Sequence, residues 1–110
     1  MRYTYLTYNN EFSRAYARGK SFVHPHVVMY VVKNRFGKTR VGLTATKKIG
    51  NAVLRNRARR VMRAAICKQL PLYVGGYDIV FVARGITPRL KSTVLEEDIS
   101  QLLKSAGLLK

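Results

Sequence analysis

Seven of the 21 lysine and arginine residues fall within one stretch, Lys47 to Arg63, which reads KKIGNAVLRNRARRVMR and contains no acidic residue. A guanidinium group donates paired, charge-assisted hydrogen bonds that match the oxygens of a phosphate. Positive side chains three or four positions apart on a helix repel each other by about a few tenths of a kcal/mol per pair. Because an external polyanion would offset this repulsion, the stretch predicts a phosphate-binding surface.

The same stretch has the features of an amphipathic helix. Gly50 marks a break, Asn51 is a good N-cap, and nothing from there to about Gln69 interrupts a helix. At helical spacing one arc of this helix is apolar, and it consists of Leu54, Ala58, Val61, Met62 and Ala65. The arginines lie elsewhere on the surface, with one row of Arg55, Arg59 and Arg63, then Arg60 beside it and Arg57 further round.

The ordinary explanation for a run of charge is a solvated helix face. Such faces mix Glu with Lys, whereas this one carries arginine and no acid. The whole chain has 21 basic and 5 acidic residues, a net charge of +16. An anionic membrane is an alternative partner, but the helix lacks the Trp and Phe of an interfacial anchor. We therefore favour a nucleic acid.

Composition sets limits on the architecture and location of the chain. With 110 residues, 47% of them hydrophobic, it fits one domain (1–110) with a real core, and residues 1–8 are expected to form an extended arm. No run is long enough to span a membrane, and we expect no secretion signal. The single Cys67 excludes an internal disulfide and suits a reducing compartment, so we expect a cytoplasmic protein.

Hydrophobic periodicity predicts an α+β fold with the order α-β-β-α-β-α and a further short strand near Ser21. The predicted helices and strands are a helix from Asn9 or Asn10 to Arg18, strands Val27–Lys33 and Thr39–Thr46, the arginine helix, strand Tyr77–Arg84, and a helix from Thr93 to Ala106. Thr93 and Glu96 match the pattern of a capping box. This order predicts one sheet with helices packed against it.

A catalytic centre made of protein side chains alone has little support in the sequence. Of the five acids, Glu96, Glu97 and Asp98 are consecutive and would spread around a helix instead of converging on a metal. His24 and His26 flank a proline and could act as an acid and base pair, although a surface or partly buried loop is the ordinary role of such residues. We expect no catalytic residue and no metal ligand in this chain.

The segment Arg40 to Arg63, RVGLTATKKIGNAVLRNRARRVMR, resembles the signature of the protein subunit of bacterial ribonuclease P. It includes the Arg55-Asn56-Arg57 core of that family's "RNR" motif. The resemblance extends to Glu11-Phe12, Tyr16 and Gly19 in the first helix, Met29-Tyr30 in the central strand, and Asp78-Ile79-Val80 with Ala83-Arg84 in the last strand.

The resemblance implies a fold and an activity. The fold is a single-domain α/β sandwich with a mostly antiparallel sheet and an unusual left-handed βαβ crossover. The activity is removal of the 5′ leader from precursor tRNA by an endoribonuclease whose catalytic centre is on an RNA subunit. The implied partners are that catalytic RNA and precursor tRNA, and the implied cofactor is Mg²⁺, held mainly by the RNA subunit and the substrate.

The resemblance also implies two sets of site residues. The RNA-binding set is Lys47, Lys48, Asn51, Arg55, Asn56, Arg57, Arg59, Arg60 and Arg63. The set lining a cleft for the single-stranded leader is Phe12, Tyr16, Val28, Tyr30 and Thr44. From spacing alone, Phe12 and Tyr16 would be assigned to core packing.

Two other functions remain open. A structural RNA-binding protein, such as a ribosomal protein, has similar size and charge but no preference for a 5′ leader. A stand-alone nuclease using His24 and His26 would cleave RNA without an RNA partner.

Overall fold

The computed structural model describes residues 3–6, 9–35, 37, 39–67 and 76–108. Its strands are β1 (Tyr3–Tyr5), β2 (Lys20–Val23), β3 (Val27–Lys33), β4 (Thr39–Thr44) and β5 (Tyr77–Ala83). Its α-helices are α1 (Asn9–Arg18), α2 (Ala52–Cys67) and α3 (Ser92–Ser105). Short 3₁₀ turns at Lys47–Ile49 and Thr87–Arg89 precede α2 and α3.

The five strands form one mixed sheet in the order β1-β4-β5-β3-β2. Antiparallel pairs join β2 to β3 and β3 to β5, and parallel pairs join β1 to β4 and β4 to β5. The predicted α+β class and the order of the main elements are confirmed. The short strand expected near Ser21 is β2, and part of the expected N-terminal arm is the edge strand β1. The chain β4–α2–β5 is the parallel βαβ unit that the resemblance implies.

The main core lies between one face of the sheet and the helices α2 and α3. Alternate residues of the central strands point into it, including Met29 and Phe81, and both are fully buried. From α2 it receives Ala58, Met62 and Ala65, with Leu54 and Val61 partly buried beside them. The apolar arc predicted for the arginine helix is therefore confirmed, and it holds the helix with its arginines directed away from the core.

Some predicted helix and strand ends are wrong. Strand β4 ends at Thr44, because the chain turns into the 3₁₀ turn at Lys47. The capping box at Thr93 does not form, since α3 begins at Ser92 after the extended Lys91. The carbonyl of Lys91 already accepts the N–H groups of Val94 and Leu95, which places Thr93 inside the first turn. Gln69, the expected end of the arginine helix, lies outside the described residues.

The opposite face of the sheet is covered only in part, by α1. A small second cluster there is formed by Leu6, Ala15 and Val80, with Phe12 and Tyr30 packed against it. Because α1 has 10 residues, it covers the middle of this face and leaves the row of side chains near the end of β4 open.

Candidate nucleic-acid interface

The start of α2 is fixed by local features of the sequence. Oδ1 of Asn51 accepts a hydrogen bond from the backbone N–H of Leu54 at 3.0 Å, which confirms the predicted N-cap. Gly50 has φ +137°, and a Cβ at this position would lie 2.7 Å from Cδ1 of Leu54. The preceding 3₁₀ turn buries Ile49 and leaves Lys47 and Lys48 exposed. Two lysines are therefore presented next to the positive end of a helix dipole.

The arginines of α2 form a surface without a single acidic side chain on the helix. Arg57, Arg60 and Arg63 are exposed, while Arg55 and Arg59 are half-buried. An Nη of Arg59 donates to Oδ1 of Asn56 at 3.1 Å, so this pair is held in a defined geometry. The Nε of Arg55 is buried and has no hydrogen-bond partner among the described residues. A buried donor of this kind is costly unless an acceptor reaches it.

A basic groove of about 700 Å³ runs between the 3₁₀ turn before α2 and the end of β5. Its floor contains the apolar side chains of Ile49, Val82 and Ala83, and its rim carries the exposed Lys47, Lys48 and Arg84. Sequence reasoning missed Arg84 as a site residue. The parallel pairing of β4 with β5 brings the chain after each strand to the same edge of the sheet, and pairing is not visible in the sequence.

The cleft residues expected from the resemblance lie on the face of the sheet that α1 partly covers. The strand register aligns one row across four strands, which consists of Val23, Val28, Val82 and Thr44. The next row is Ser21, Tyr30, Val80 and Gly42. Helix α1 lies over the second row. The first row lies beside the helix and is not covered by it.

Aromatic rings line the boundary between α1 and this open row. The rings of Tyr16 and Tyr30 meet edge to face, with centroids 5.0 Å apart and an interplanar angle of 77°. A pocket of about 300 Å³ beside them is lined by Phe12, Ser13, Tyr16, Leu43 and Thr44. Tyr16 is 43% exposed. Partial burial raises the pKa of its hydroxyl, although a hydrogen bond with Thr44 acts in the opposite direction.

The structure thus brings the five expected cleft residues to one side of the molecule. Phe12, Tyr16 and Thr44 share a pocket, and Tyr30 contacts Tyr16. Val28 is joined to Thr44 through Val82, which pairs with both. Sequence reasoning missed Val82 and the 69% exposed Val23 at the edge of the same row. Alternation along each strand shows which face of the sheet a side chain lies on. Only the pairing register between strands shows that Val82 and Val23 extend this surface.

An ion-pair network holds α1 against the sheet. The guanidinium of Arg40 on β4 donates two hydrogen bonds of 2.7 Å to the carboxylate of Asp78 on β5, and a further one to Glu11 on α1. Nδ2 of Asn34 donates to Asp78 as well, at 2.8 Å. Burial alone would raise the pKa of Asp78, but these hydrogen bonds and the charge of Arg40 outweigh it and hold the pKa below its ordinary value. The wall of the cleft is therefore fixed by a charge cluster that we call the Arg40 network (Arg40, Asp78, Glu11 and Asn34).

The two histidines considered as an acid and base pair do not face the cleft. They lie between β2 and β3, and both ring systems contact Asp98 on α3, on the other side of the sheet. The sequence analysis placed Asp98 among three consecutive acids spread around a helix and did not connect it with the histidines. Among the described residues, no helix has the length and apolar character needed to cross a membrane.

Comparisons with known proteins show similarity to one family in both sequence and fold. The ribonuclease P family model matches residues 1–107. The ribonuclease P protein component of Pelotomaculum thermopropionicum is 43% identical over 103 residues, which is 94% of this chain and 92% of that protein. The corresponding component of Clostridium beijerinckii is 38% identical over 110 residues, with 94% and 88% of the two chains covered. The structure of the Staphylococcus aureus RNase P protein is similar with a TM-score of 0.83 at 27% identity, covering 96% of this chain and 97% of that one.

Proposed function

The chain belongs to the bacterial ribonuclease P protein family, and we propose on this basis that α2 binds the catalytic RNA and that the cleft beside α1 binds the 5′ leader of precursor tRNA. As the protein component of ribonuclease P, it is a subunit of a tRNA-processing endoribonuclease and takes part in maturation of the tRNA 5′ end. Membership in this family implies association with ribonuclease P RNA. The residues that make each contact are our proposal.

The surface of α2 is suited to phosphates of a folded RNA. The proposed contact residues are Lys47, Lys48, Asn51, Arg55, Asn56, Arg57, Arg59, Arg60 and Arg63. The observation that carries this assignment is the single sign of charge along the helix, since α2 contains five arginines and no acidic residue. In the complex, release of counterions from the RNA supplies much of the binding free energy.

The cleft is suited to unpaired bases of varied sequence. Phe12, Tyr16 and Tyr30 offer aromatic edges and faces beside an open apolar row that contains Val28 and Thr44. Stacking of a base on an aromatic ring contributes about 1–3 kcal/mol and tolerates any base, because every base has a π-face. This tolerance suits a leader site, since leaders differ from one tRNA to another.

The basic groove extends this path toward the arginine helix. Val82 belongs both to the open row of the cleft and to the lining of the groove. A single-stranded RNA whose bases stack in the cleft can therefore continue to Lys47, Lys48 and Arg84, where its phosphates meet three cations. We assign Arg84 to this phosphate contact.

Hydrolysis is proposed to take place on the RNA subunit, with Mg²⁺ held mainly by that RNA and by the substrate. The carboxylates of Glu11 and Asp78 are already paired with Arg40. Mg²⁺ requires an oxygen-rich shell of near-octahedral geometry, and the remaining acids, Glu96 to Asp98, are spread around α3.

The expected cytoplasmic location stays a prediction.

A cleavage assay of precursor tRNA at low magnesium tests this division of labour. Three reactions are compared: protein alone, catalytic RNA alone, and both together. We expect leader removal to be greatest with both and absent with protein alone. Cleavage by the pure protein would contradict the proposal and favour a stand-alone nuclease. A protein that binds RNA but has no effect on cleavage and no preference for a leader would favour a structural RNA-binding role.

Single substitutions on α2 are expected to change the salt dependence of RNA binding. Arg57→Ala and Arg60→Ala should each lower the slope of log K against log salt by about 0.7–0.9, the value of one phosphate contact. Affinity for the catalytic RNA is measured over a series of salt concentrations. Arg35→Ala, at an exposed position in the loop after β3, is the matched control for loss of one charge. An equal slope for Arg57→Ala and the wild type would remove Arg57 from the interface.

A further inference from the structure

Three side chains that could ligate a metal meet at the other side of the sheet from the cleft. His24 and His26 come from the turn between β2 and β3, and Asp98 comes from the middle of α3. One potential ligand atom from each residue lies within 4.8 Å of the other two. The side chains are 21%, 29% and 13% exposed, in that order, so the cluster is partly shielded but can be reached from solvent.

One distance within the cluster matches the separation of two ligands in a zinc site. Nε2 of His24 lies 3.4 Å from Oδ1 of Asp98. Two ligands of a tetrahedral Zn²⁺, each about 2.0–2.1 Å from the metal, are about 3.3–3.4 Å apart. Nδ1 of His26 and Oδ2 of Asp98 form a short hydrogen bond of 2.5 Å. A small rotation of the carboxylate would increase the distance between Nδ1 of His26 and Oδ2 of Asp98 to the separation of two ligands on one metal.

The turn that carries the histidines is held in place by other contacts. The hydroxyl of the fully buried Thr87 donates to the carbonyl of His26 at 2.6 Å, and the same oxygen accepts the N–H of Arg84 at 2.8 Å. The backbone at His26 is therefore held in place before any ligand binds. Such preorganisation reduces the conformational entropy lost on binding.

One hydrogen bond must change when a metal binds. The backbone N–H of His26 donates to Nδ1 of His24 at 3.0 Å, so the neutral His24 ring carries its proton on Nε2, facing Asp98. A metal at Nε2 takes the place of that proton, and the ring then holds a proton on Nδ1. The amide of His26, in a partly exposed turn, exchanges this acceptor for water.

We propose that His24, His26 and Asp98 form a binding site for a divalent transition-metal ion, with Zn²⁺ as the best fit. Two imidazoles and one carboxylate suit Zn²⁺ and its late first-row neighbours, whereas Mg²⁺ prefers an all-oxygen shell. With three protein ligands the ion keeps at least one position for water. This site is independent of the RNA-binding surfaces. It joins α3 to the turn before β3, the strand that carries Val28 and Tyr30, and so ties the helical layer to the floor of the cleft.

The experiment uses the full chain without an affinity tag, because a histidine tag would itself bind the probe. Co²⁺ is titrated and followed by its visible absorption, and Zn²⁺ is then added as a competitor. We expect one equivalent to bind with the spectrum of four-coordinate Co²⁺ on nitrogen and oxygen, and Zn²⁺ to displace it. The net charge of +16 repels cations from the general surface, so saturable binding identifies a built site.

Variants locate the site. His26→Asn and Asp98→Asn should each weaken Co²⁺ and Zn²⁺ binding by more than about tenfold, since even outer-shell partners of a metal change affinity by that much. Glu97→Gln, at an exposed neighbouring carboxylate, and Cys67→Ser, at the exposed thiol, should bind as the wild type does. Circular dichroism without metal checks that each variant is folded.

Two results would overturn the site. The first is a wild type that binds neither ion, which would make the cluster a hydrogen-bonded tie between the turn and α3. The second is binding that persists in Asp98→Asn, or that disappears in Cys67→Ser with a sulfur-to-cobalt charge-transfer band in the wild type. If a variant is unfolded, the wild-type spectrum decides alone, because ligation by nitrogen and oxygen and ligation by thiolate give different bands.

Discussion

Replacing Arg40 with methionine is expected to lower the free energy of unfolding by about 3–5 kcal/mol, the cost of removing one partner of a buried ion pair. The side chain of Asp78 is 1% exposed, so without the guanidinium its carboxylate is left as a buried charge that has lost its main partner. The side-chain amide of Asn34, a neutral group, still donates a hydrogen bond to the carboxylate of Asp78. Glu11 on α1 loses the same partner. Urea unfolding at neutral pH measures the change.

A double variant separates the loss of the pair from the penalty of an isolated charge. Arg40→Met combined with Asp78→Asn removes the buried carboxylate, and we expect it to be more stable than Arg40→Met alone. Arg35→Met, at an exposed loop position, is the matched control and should change stability by less than about 0.5 kcal/mol. If Arg40→Met were as stable as this control, the Arg40 network would contribute nothing to holding α1.

The effect should depend on pH with a defined sign. In the wild type the pKa of Asp78 lies below its ordinary value of 3.8, so the stability that it contributes is present above that pH and is lost as the pH falls through the lower folded value. In Arg40→Met the cation is absent and burial raises the pKa of the same carboxyl. As the pH falls toward 3.8, protonation of the carboxyl relieves the variant, and below 3.8 the wild type loses the stability that its ionised Asp78 contributes. The stability difference between the two should therefore shrink as the pH is lowered from neutral to below 3.8.

The sequence predicted the fold class and the elements around the main core because those features depend on local periodicity. The apolar arc of α2 and the alternation along β3 read directly as a buried helix face and a buried strand. Pairing order is a different kind of information. That β5 lies between β3 and β4, and that β1 pairs with β4 at the edge, follows from contacts between distant segments. No spacing within one segment encodes them.

The same distinction applies to the sites. Charge of one sign on α2 was visible at helical spacing, and the N-cap at Asn51 was predicted and found. The role of Arg84 in the basic groove and the contact of Asp98 with both histidines required the register of the sheet and the packing of α3. For Phe12 and Tyr16, spacing favoured the core. The structure leaves Phe12 half-buried and Tyr16 exposed, because α1 is too short to cover the row beside it.

Phe12→Ala is expected to weaken binding of leader-bearing precursor tRNA by about 5- to 150-fold, which corresponds to the 1–3 kcal/mol of one stacked base. Binding of mature tRNA should be unchanged, since it has no leader to place in the cleft. The complex of protein and catalytic RNA is used, and equilibrium affinity is measured for both tRNAs. Phe12 also packs on the sheet, where a Cβ on Gly42 would lie 2.6 Å from its ring. Its loss therefore affects the position of α1 as well as the stacking surface.

The exposed Tyr16 distinguishes these two effects. Tyr16→Leu removes the ring but keeps an apolar side chain, and Tyr16→Phe keeps the ring but loses the hydrogen bond with Thr44. If the ring stacks on a base, Tyr16→Leu should lose leader affinity and Tyr16→Phe should retain most of it. Gly42→Ala, which displaces the ring of Phe12 without changing any charge, should also weaken leader binding. Equal losses for precursor and mature tRNA in all of these variants would mean that the cleft holds no leader, and the aromatic residues would then serve only to pack α1 on the sheet.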